Sequence, residues 1–380
     1  MAPREPALTL GIEEEYLLVD LETRALVTRQ DPGFMRACQA ELGDQVSHEL
    51  LQSQVEIGTG VCRTIAEARA DLRRLRATVA RIARAHGMGL VAASTHPSAD
   101  WQDQQNVDLD RYRNLTEDFQ AVARRLVICG MHVHAGIEDD EIRIDLLNQL
   151  AYFLPHLLAL STSSPFWQGN DTGLKSYRLA VFGNLPRTGI PETFESFGEW
   201  RRLLDVMRET GVCDDPTKIW WDARPSARHP TLEMRVCDVC TTLEDTLTIA
   251  ALYQALLGSL WQLRARNQTW RLYRRILIEE NKWRAQRWGT EGKLADYGRR
   301  SLVPYADLLA EMITLVADEA ERLGCRREVE RTREIVTRGT SADRQRWIHR
   351  AALTEGATPE EALKAVVDWL LQETVAGLDG

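Results

Sequence analysis

The segment Leu10–Asp20, LGIEEEYLLVD, combines the apolar pattern of a β-strand with three consecutive glutamates. Side chains on a strand alternate between its two faces, so Glu13 and Glu15 lie on the same face. Their Cα atoms are about 7 Å apart on an extended strand, and two carboxylates at this spacing repel each other. A cation bound between them would turn that repulsion into attraction.

Three further strand-like segments place polar side chains on one face and apolar side chains on the other. They are SHELLQSQVEIGTG with Glu49 and Glu56, CGMHVHAGI with His132 and His134, and TLEMRVCD with Glu233 and Arg235. Each one alone could be an ordinary half-exposed strand, and His134 could simply be a hydrogen-bonded neighbour of His132. Together, acids and histidine without an adjacent lysine indicate a site for Mg²⁺ or Mn²⁺, because these ions prefer oxygen ligands and tolerate imidazole.

Arginines near these segments are candidates for binding an anionic substrate. Arg178 lies in KSYRLAVFGNLP, Arg224 and Arg228 lie in WWDARPSARHP, and Arg235 lies beside Glu233. A guanidinium matches the geometry of carboxylate or phosphate, although each arginine could instead form a structural salt bridge. The sequence contains no P-loop, no GxGxxG motif and no HExxH motif, so any ATP would be held by metal ions and arginines.

Composition argues against several other kinds of protein. The net charge of the 380 residues is −9, with no basic field of the kind that binds nucleic acid. Seven scattered cysteines favour reduced thiols, and the pair Cys237 and Cys240 lacks the second pair that a zinc site needs. No apolar run approaches the roughly 18 residues of a membrane span, and no signal core is visible. We therefore expect a cytoplasmic protein that binds neither nucleic acid nor membrane.

The predicted elements indicate an α+β fold. Strand-like runs cover about 9–19, 53–57, 89–94, 126–137, 217–222 and 231–237, and helices cover 65–86, 243–267, 270–288, 305–323, 326–337 and 359–373. Crossover helices do not alternate regularly with the strands, so we expect a mainly antiparallel curved sheet that carries the site, with helices on the other side. No linker or repeat divides the chain, which predicts one domain over 1–380, largely helical from about 243.

One charged and aromatic segment, 278–294 (IEENKWRAQRWGTEGKL), has two interpretations. It could be a solvated helix face, or it could cover the site. The sequence alone does not separate the two.

The motifs GIEEEYLLVD, MHVHAGI and TLEMRVCD, in this order, resemble those of the carboxylate–amine ligase family, often called glutamate–cysteine ligase type 2, within the glutamine synthetase-like superfamily. The resemblance runs from about residue 9 to about 290 and more loosely to the C-terminus. It implies a glutamine synthetase-like catalytic fold and an ATP-dependent ligase that uses Mg²⁺ or Mn²⁺. A homodimer is implied by analogy with the family alone.

The similarity to glutamine synthetase also implies roles for individual residues. The metal ligands would form two groups, which are Glu15, Glu49 and Glu56, and Glu13, His132 and Glu233. The spacing from Glu49 to Glu56 is one residue shorter than in glutamine synthetase. Arg178 would bind a substrate carboxylate, Arg224 and Arg235 would stabilise phosphoryl charge, and Arg228 is a further candidate for binding ATP.

The implied reaction joins the γ-carboxylate of glutamate to the amine of cysteine through an acyl phosphate, and it releases ADP and phosphate. The expected partners are small molecules, namely glutamate and cysteine or another amine. Three different functions would also suit these motifs: a ligase of the same mechanism for a different acid–amine pair, a non-catalytic protein that binds ATP or metal, and a metal hydrolase of phosphate esters. No residue stands out as the base that deprotonates the amine.

Overall fold

The computed structural model describes residues 4–378 of the chain. The strands in this range are β1 (Leu10–Asp20), β2 (Val46–His48), β3 (Gln54–Gly58), β4 (Met88–Val91), β5 (Met131–Gly136), β6 (Phe166–Trp167), β7 (Asn170–Asp171), β8 (Thr188–Gly189), β9 (Trp220–Trp221), β10 (Ala223–Pro225), β11 (Thr231–Met234), β12 (Lys293–Asp296) and β13 (Ser301–Pro304).

The same range contains fourteen α-helices. They are α1 (Pro32–Leu42), α2 (Ile65–Ala85), α3 (Asp110–Phe119), α4 (Ala121–Arg124), α5 (Asp140–Leu150), α6 (Leu154–Ser161), α7 (Arg178–Phe182), α8 (Phe197–Glu209), α9 (Leu243–Ala265), α10 (Arg275–Trp288), α11 (Tyr305–Arg322), α12 (Arg326–Arg338), α13 (Ser341–Thr354) and α14 (Pro359–Val375). Among the described residues, no helix has the length and apolar character needed to cross a bilayer.

Seven strands form the main sheet in the order β10–β11–β5–β1–β3–β2, with β4 also paired to β1. All of these pairings are antiparallel. The long strand β1 is central, because it pairs with β5 and β3 near its start and with β4 near its end. The predicted α+β class with a mainly antiparallel sheet is confirmed.

The face of β1 that points away from the predicted site packs against helices α2 and α9. Ile12, Glu14, Tyr16 and Leu18 lie on this face and are fully buried. Glu14 is the second glutamate of the opening motif, and strand alternation places it in the core instead of in the site. A buried carboxylate is strongly destabilising unless it is paired and hydrogen-bonded.

Arg76 of α2 supplies the charge that neutralises Glu14. Its Nη2 lies 2.6 Å from Glu14 Oε1, and both side chains are fully buried. Thr246 of α9 donates a hydrogen bond of 2.5 Å to the same carboxylate, and the Tyr16 hydroxyl donates another. Arg76 also donates to the carbonyl oxygens of Thr241 and Thr374, at 2.9 and 3.4 Å. One arginine therefore joins the sheet to the start of α9 and to α14.

Several parts of the chain differ from the sequence prediction. The strand predicted over 126–137 is only Met131–Gly136, because the preceding backbone bonds elsewhere, for example from Cys129 N to Ser94 O at 3.0 Å. Helix α13 was not predicted, although Thr340 and Asp343 form the capping box that starts it. The hairpin of β12 and β13 also interrupts the half of the chain that was predicted to be helical.

Acid stability should depend on His96, which is buried and neutral. Its Nδ1 accepts hydrogen bonds from the backbone N–H groups of Ser98 and Ala99, and its Nε2 donates to the Arg24 carbonyl. Burial lowers the pKa of His96 to about 4. The unfolded chain therefore binds a proton below pH 6.5 that the folded chain does not. The free energy of unfolding decreases as the pH is lowered from about 6.5 to about 4.

We expect this single group to remove about 2 kcal/mol of folding free energy between pH 7 and pH 5. Urea unfolding at the two pH values, compared between the wild type and His96→Gln, isolates the contribution. If the free energy of unfolding changes between pH 7 and pH 5 by the same amount in His96→Gln as in the wild type, the prediction is wrong.

Candidate active site

The register of the central strands gathers the predicted side chains on one face of the sheet. On β1 and β5, Glu13 lies directly opposite His132, and on β1 and β3, Glu15 lies opposite Glu56. Opposed residues in an antiparallel pair have Cβ atoms only about 5 Å apart. Cross-strand pairing therefore turns four separate sequence motifs into one cluster, which β11 extends by placing Glu233 opposite His134.

A cavity of about 430 Å³ opens over this face of the sheet. Every site residue predicted from the sequence lines it, which are Glu13, Glu15, Glu49, Glu56, His132, Arg178, Arg224, Arg228, Glu233 and Arg235. The segment 278–294, which was considered as a possible cover, contributes no residue to the cavity lining within the described chain. Its Lys282 Nζ lies 2.6 Å from Asp222, a buried residue that does not line the cavity.

Three groups of side chains have potential ligand atoms within 4.8 Å of one another. They are Glu13, His134 and Glu233; Glu13, Glu56 and His132; and Glu15, Glu49 and Glu56. The third group is the one that the resemblance implied. The other implied set, Glu13, His132 and Glu233, does not form one group. His132 and Glu233 belong to different groups, and Glu13 belongs to both because it lies between two histidines.

The sequence analysis did not select His134 as a ligand. Its Nδ1 lies 2.9 Å from Thr231 Oγ1 and its Nε2 lies 3.4 Å from Glu13 Oε1, so its ring is directed at the Glu13 carboxylate. The available signal was the alternation of MHVH, which places both imidazoles on the Glu13 face. A count of polar residues on that face would have included it.

The carboxylates of this cluster lie so close together that their side-chain partners do not neutralise all of their negative charge. Burial raises the pKa of Glu56 well above its usual value, and the charges of Glu49, Glu13 and Glu15 raise it further. For Glu13 burial has the same tendency, but hydrogen bonds and charge from His132 and His134 hold its pKa well below normal. The chemistry of this donor set, carboxylate oxygens with imidazole, fits a hard divalent cation that would favour the ionised carboxylates.

Two arginines hold Glu233. Arg224 Nε and Nη2 lie 2.8 and 3.2 Å from the two Glu233 carboxylate oxygens, and Arg235 Nη1 also donates to Glu233. Burial would raise the pKa of Glu233, but the charges of Arg235 and Arg224 keep it well below its usual value. Arg224 Nη1 is occupied by the carbonyls of Thr217 and Ile219, both at 2.7 Å. Arg224 is thus largely committed to positioning Glu233.

Arg235 keeps donor capacity that the protein does not use. Its Nε is buried and has no hydrogen-bond partner within the described residues 4–378. Because a buried unsatisfied donor costs about 1–3 kcal/mol, such a group in a cavity indicates that a ligand supplies the acceptor. Arg228, by contrast, is exposed at the cavity rim, on the turn between β10 and β11.

Arg178 lies beneath the cavity with its side chain almost fully buried. It donates to the carbonyl of Arg235 at 3.3 and 3.4 Å and stacks 5.5 Å from the Phe182 ring. No carboxylate of the described chain lies within salt-bridge distance of it. A side chain at Gly130 would overlap this guanidinium, so the glycine is needed for the close approach. Sequence reasoning missed Gly130, because a single glycine carries no signal of its neighbour.

An apolar wall completes the cavity, and no sequence motif predicted it. It is formed by Tyr112, Leu115, Leu126, Ile128, Phe182, Leu185 and Trp220. Trp220 packs against Phe119 with the ring centroids 5.7 Å apart, and the Tyr112 hydroxyl donates to the His48 carbonyl at 2.8 Å. These contacts fix α3 at the edge of the cavity.

Solved structures share the architecture of this protein. The crystal structure of glutamate–cysteine ligase from Francisella tularensis in complex with AMP matches with a TM-score of 0.70 at 14% identity, over 100% of this chain and 91% of that one. A bifunctional glutathione synthetase from Pasteurella multocida matches with a TM-score of 0.68 at 16% identity, over 96% of this chain and 52% of that one. At these identities the likeness concerns the fold, which is the glutamine synthetase-like catalytic fold.

Sequence comparisons identify the family of this chain. The family model described as glutamate–cysteine ligase family 2 matches residues 9–368. A protein of Rhodospirillum rubrum, provisionally named glutamate–cysteine ligase 2, is 54% identical over 99% of this chain and 97% of its own length. A protein of Jannaschia sp. with the same provisional name is 53% identical over 96% of both chains. The chain belongs to glutamate–cysteine ligase family 2 and is an ATP-dependent carbon–nitrogen ligase.

Proposed function

We propose that this ligase joins the γ-carboxylate of glutamate to the amine of cysteine and forms γ-glutamylcysteine, ADP and phosphate. The observation that carries the proposal is the convergence of three acid and histidine groups with Arg178 and Arg235 in one cavity. A carboxylate does not react with an amine at neutral pH, so the acid must first be activated as an acyl phosphate. The provisional names of the relatives at 54% and 53% identity support the choice of glutamate and cysteine.

Divalent cations in this proposal are held by the clustered carboxylates and imidazoles. The proposed ligands are Glu13, Glu15, Glu49, Glu56, His132, His134 and Glu233. When bound, Mg²⁺ or Mn²⁺ would neutralise the phosphates of ATP. The crowding around Glu56 supports this assignment, since the charges of Glu49, Glu13 and Glu15 all raise the pKa of its carboxyl group.

The four arginines of the cavity have different roles in this proposal. Arg235 donates its unused Nε–H to the phosphoryl group that is transferred, and Arg224 keeps the Glu233 carboxylate oriented. Arg178 binds a carboxylate of the acid substrate, because it is a buried cation whose protein partners are neutral carbonyls. Arg228 at the rim would contact the outer part of ATP. The apolar wall excludes water, which would otherwise hydrolyse the acyl phosphate.

We also propose that residues 1–380 form a single catalytic domain. One continuous cluster of buried apolar residues includes β1 of the first half and α9, α11 and α14 of the second, which supports this proposal. The helical half covers the sheet. Within the described chain, no residue that follows Arg235 in the sequence lines the cavity.

An ADP-release panel tests the reaction. Purified protein is supplied with MgATP and glutamate together with each of the twenty amino acids in turn, and ADP is measured. We expect ADP only when an amine is present, with cysteine as the most efficient acceptor. A faster reaction with another amine would retain the mechanism and replace the acceptor.

The same assay distinguishes a ligase from a hydrolase and from a non-catalytic binding protein. Phosphate release from ATP or phosphate esters without an amine would identify a hydrolase. Tight ATP binding with no ADP under any combination of acid and amine would identify a non-catalytic binding protein. Replacing glutamate by other carboxylic acids at fixed cysteine tests the acid in the same way.

A further inference from the structure

Asp238 is a fully buried carboxylate to which the proposed reaction gives no role. One of its oxygens, Oδ2, accepts hydrogen bonds from the Ser163 N–H at 2.9 Å and from the Ser164 hydroxyl at 2.7 Å. The other, Oδ1, accepts from the Ser176 hydroxyl at 2.8 Å. Burying a carboxylate is costly unless it is well hydrogen-bonded, so these three bonds are what allow Asp238 to lie in the core.

Two of the three bonds lead directly to Arg178, the first residue of α7. The Arg178 N–H donates to the Ser164 hydroxyl oxygen at 3.1 Å, and the same hydroxyl donates to Asp238. The Tyr177 N–H donates to the Ser164 carbonyl at 2.9 Å, and Ser176 is the residue before Tyr177. The Asp238 carboxylate therefore holds, through two serine hydroxyls, the backbone from which the Arg178 side chain extends.

The guanidinium end of Arg178 is held by the same stretch of chain. It donates to the carbonyls of Arg235 and Val236, which precede Asp238 in the sequence. Asp238 itself pairs with Gly130 in an isolated β-bridge, and Gly130 is the residue against which the guanidinium packs. Burial raises the pKa of Asp238, and the positive charge of Arg178 acts in the opposite direction, so the two charged groups interact through space.

Separate contacts hold the residues that precede Arg178. The N–H groups of Lys175 and Ser176 donate to the Gln286 carbonyl of α10 at 2.7 and 3.2 Å. The Lys175 ammonium also forms a salt bridge of 2.5 Å with Asp343 of α13. These contacts do not involve the Asp238 carboxylate. A variant that loses the bonds to Asp238 should therefore keep this segment in place while the orientation of Arg178 becomes less well defined.

We propose that Asp238 is a positioning residue for the ligase reaction, which acts through the hydroxyls of Ser164 and Ser176 to fix Arg178 in the orientation that receives a carboxylate of the acid substrate. Asp238 does not line the cavity, so it acts without touching the substrate. A guanidinium that is already oriented loses less conformational freedom when it binds an anion. The proposal rests on the role given to Arg178 in the proposed function.

Steady-state kinetics with separate KM values test the proposal. Ser164→Ala removes the hydroxyl that joins Asp238 to the Arg178 N–H, and it should raise the KM for the acid substrate, glutamate in the proposed reaction, by about tenfold. The KM for MgATP should stay unchanged, because neither Ser164 nor Asp238 contacts the clustered metal ligands or the Arg235 side chain. A general loosening of the fold would not select one substrate in this way.

Two substitutions of Asp238 test the carboxylate itself. Asp238→Ala should raise the KM for the acid further than Ser164→Ala does. Asp238→Asn should return it close to the wild-type value, because the amide oxygen can accept from the Ser163 N–H and the Ser164 hydroxyl, and the Ser176 hydroxyl can rotate to accept from the amide N–H. Circular dichroism should show each variant folded, and if Asp238→Ala does not fold, Ser164→Ala decides the test.

Thr374→Val is the matched control. The Thr374 hydroxyl is buried on α14, donates to the Leu370 carbonyl at 2.7 Å and accepts from the Ala92 N–H at 2.9 Å, so it makes the same number of bonds as the Ser164 hydroxyl. Its loss should lower the melting temperature and leave both KM values unchanged.

Four results would overturn the inference alone. They are an unchanged KM for the acid in folded Ser164→Ala, an equal rise in the KM for MgATP, the same rise in Thr374→Val, and a folded Asp238→Asn that is no better than a folded Asp238→Ala. Failure of the proposed function is distinguishable, because it is seen in the wild type. A wild type that releases no ADP with any pair of acid and amine would overturn the proposed function and this inference together.

Discussion

Replacing Glu13 with glutamine should lower the rate of ADP formation by about 10³-fold while the protein stays folded. Glu13 belongs to two of the three ligand groups, and its carboxylate lies between His132 and His134. The amide is nearly isosteric and can still hydrogen-bond to the imidazoles, but it removes the negative charge that would hold a cation. Losing one strong electrostatic contact in a buried site costs about 10²–10³ in rate, and a shared ligand removes more than one contact.

Mn²⁺ binding gives this prediction a readout that does not depend on turnover. Titration followed by electron paramagnetic resonance should show fewer or weaker Mn²⁺ sites in Glu13→Gln than in the wild type. Glu209→Gln, an exposed residue at the end of α8, is the control and should change neither binding nor rate. Wild-type turnover and wild-type Mn²⁺ affinity in Glu13→Gln would remove Glu13 from the metal site.

Arg76→Met should destabilise the protein by about 3–5 kcal/mol, the usual effect of leaving one member of a buried ion pair without its partner. Glu14 would keep its hydrogen bonds from Tyr16 and Thr246 but lose the cation that pairs with it, and the Thr241 and Thr374 carbonyls would lose a donor. Urea unfolding followed by circular dichroism measures the change in free energy.

Arg81→Met provides the matched control on the same helix. Arg81 pairs with Glu41 at the surface, where both side chains are about half exposed, so its loss should cost no more than about 1 kcal/mol. Equal destabilisation by the two substitutions would refute the role given to burial. A folded Arg76→Met protein should still bind Mn²⁺, because Glu14 and Arg76 lie on the face of β1 opposite the cavity.

Glu13→Gln and Arg76→Met together test the different roles of two adjacent residues of the opening motif. Glu13 is assigned to the reaction, and Glu14, through its partner Arg76, is assigned to stability. Glu13 and Glu14 are adjacent in sequence, yet one faces the cavity and the other faces α2 and α9. Strand alternation predicts that neighbours differ in this way. It does not predict that the second glutamate is neutralised by Arg76, which lies 62 residues away on a helix.

The sequence by itself determined ten of the residues that line the cavity. Alternation within LGIEEEYLLVD, MHVHAGI and TLEMRVCD is a local property, so it fixed the face on which Glu13, His132 and Glu233 lie. Six of the fourteen described α-helices and the strands β1, β3, β4, β5, β9 and β11 followed from equally local patterns, and the motif order identified the family. The unpredicted helix α13 had a local signal as well, in its capping box.

Only the tertiary structure decided how those residues are combined. The partition into three ligand groups, the place of His134 and the approach of Arg178 to Gly130 depend on strand register and helix docking. The apolar wall is assembled from residues 112–220, which share no motif. Register and docking are set by the burial of side chains distant in sequence, and that free energy belongs to the packed core as a whole, so no local segment encodes it.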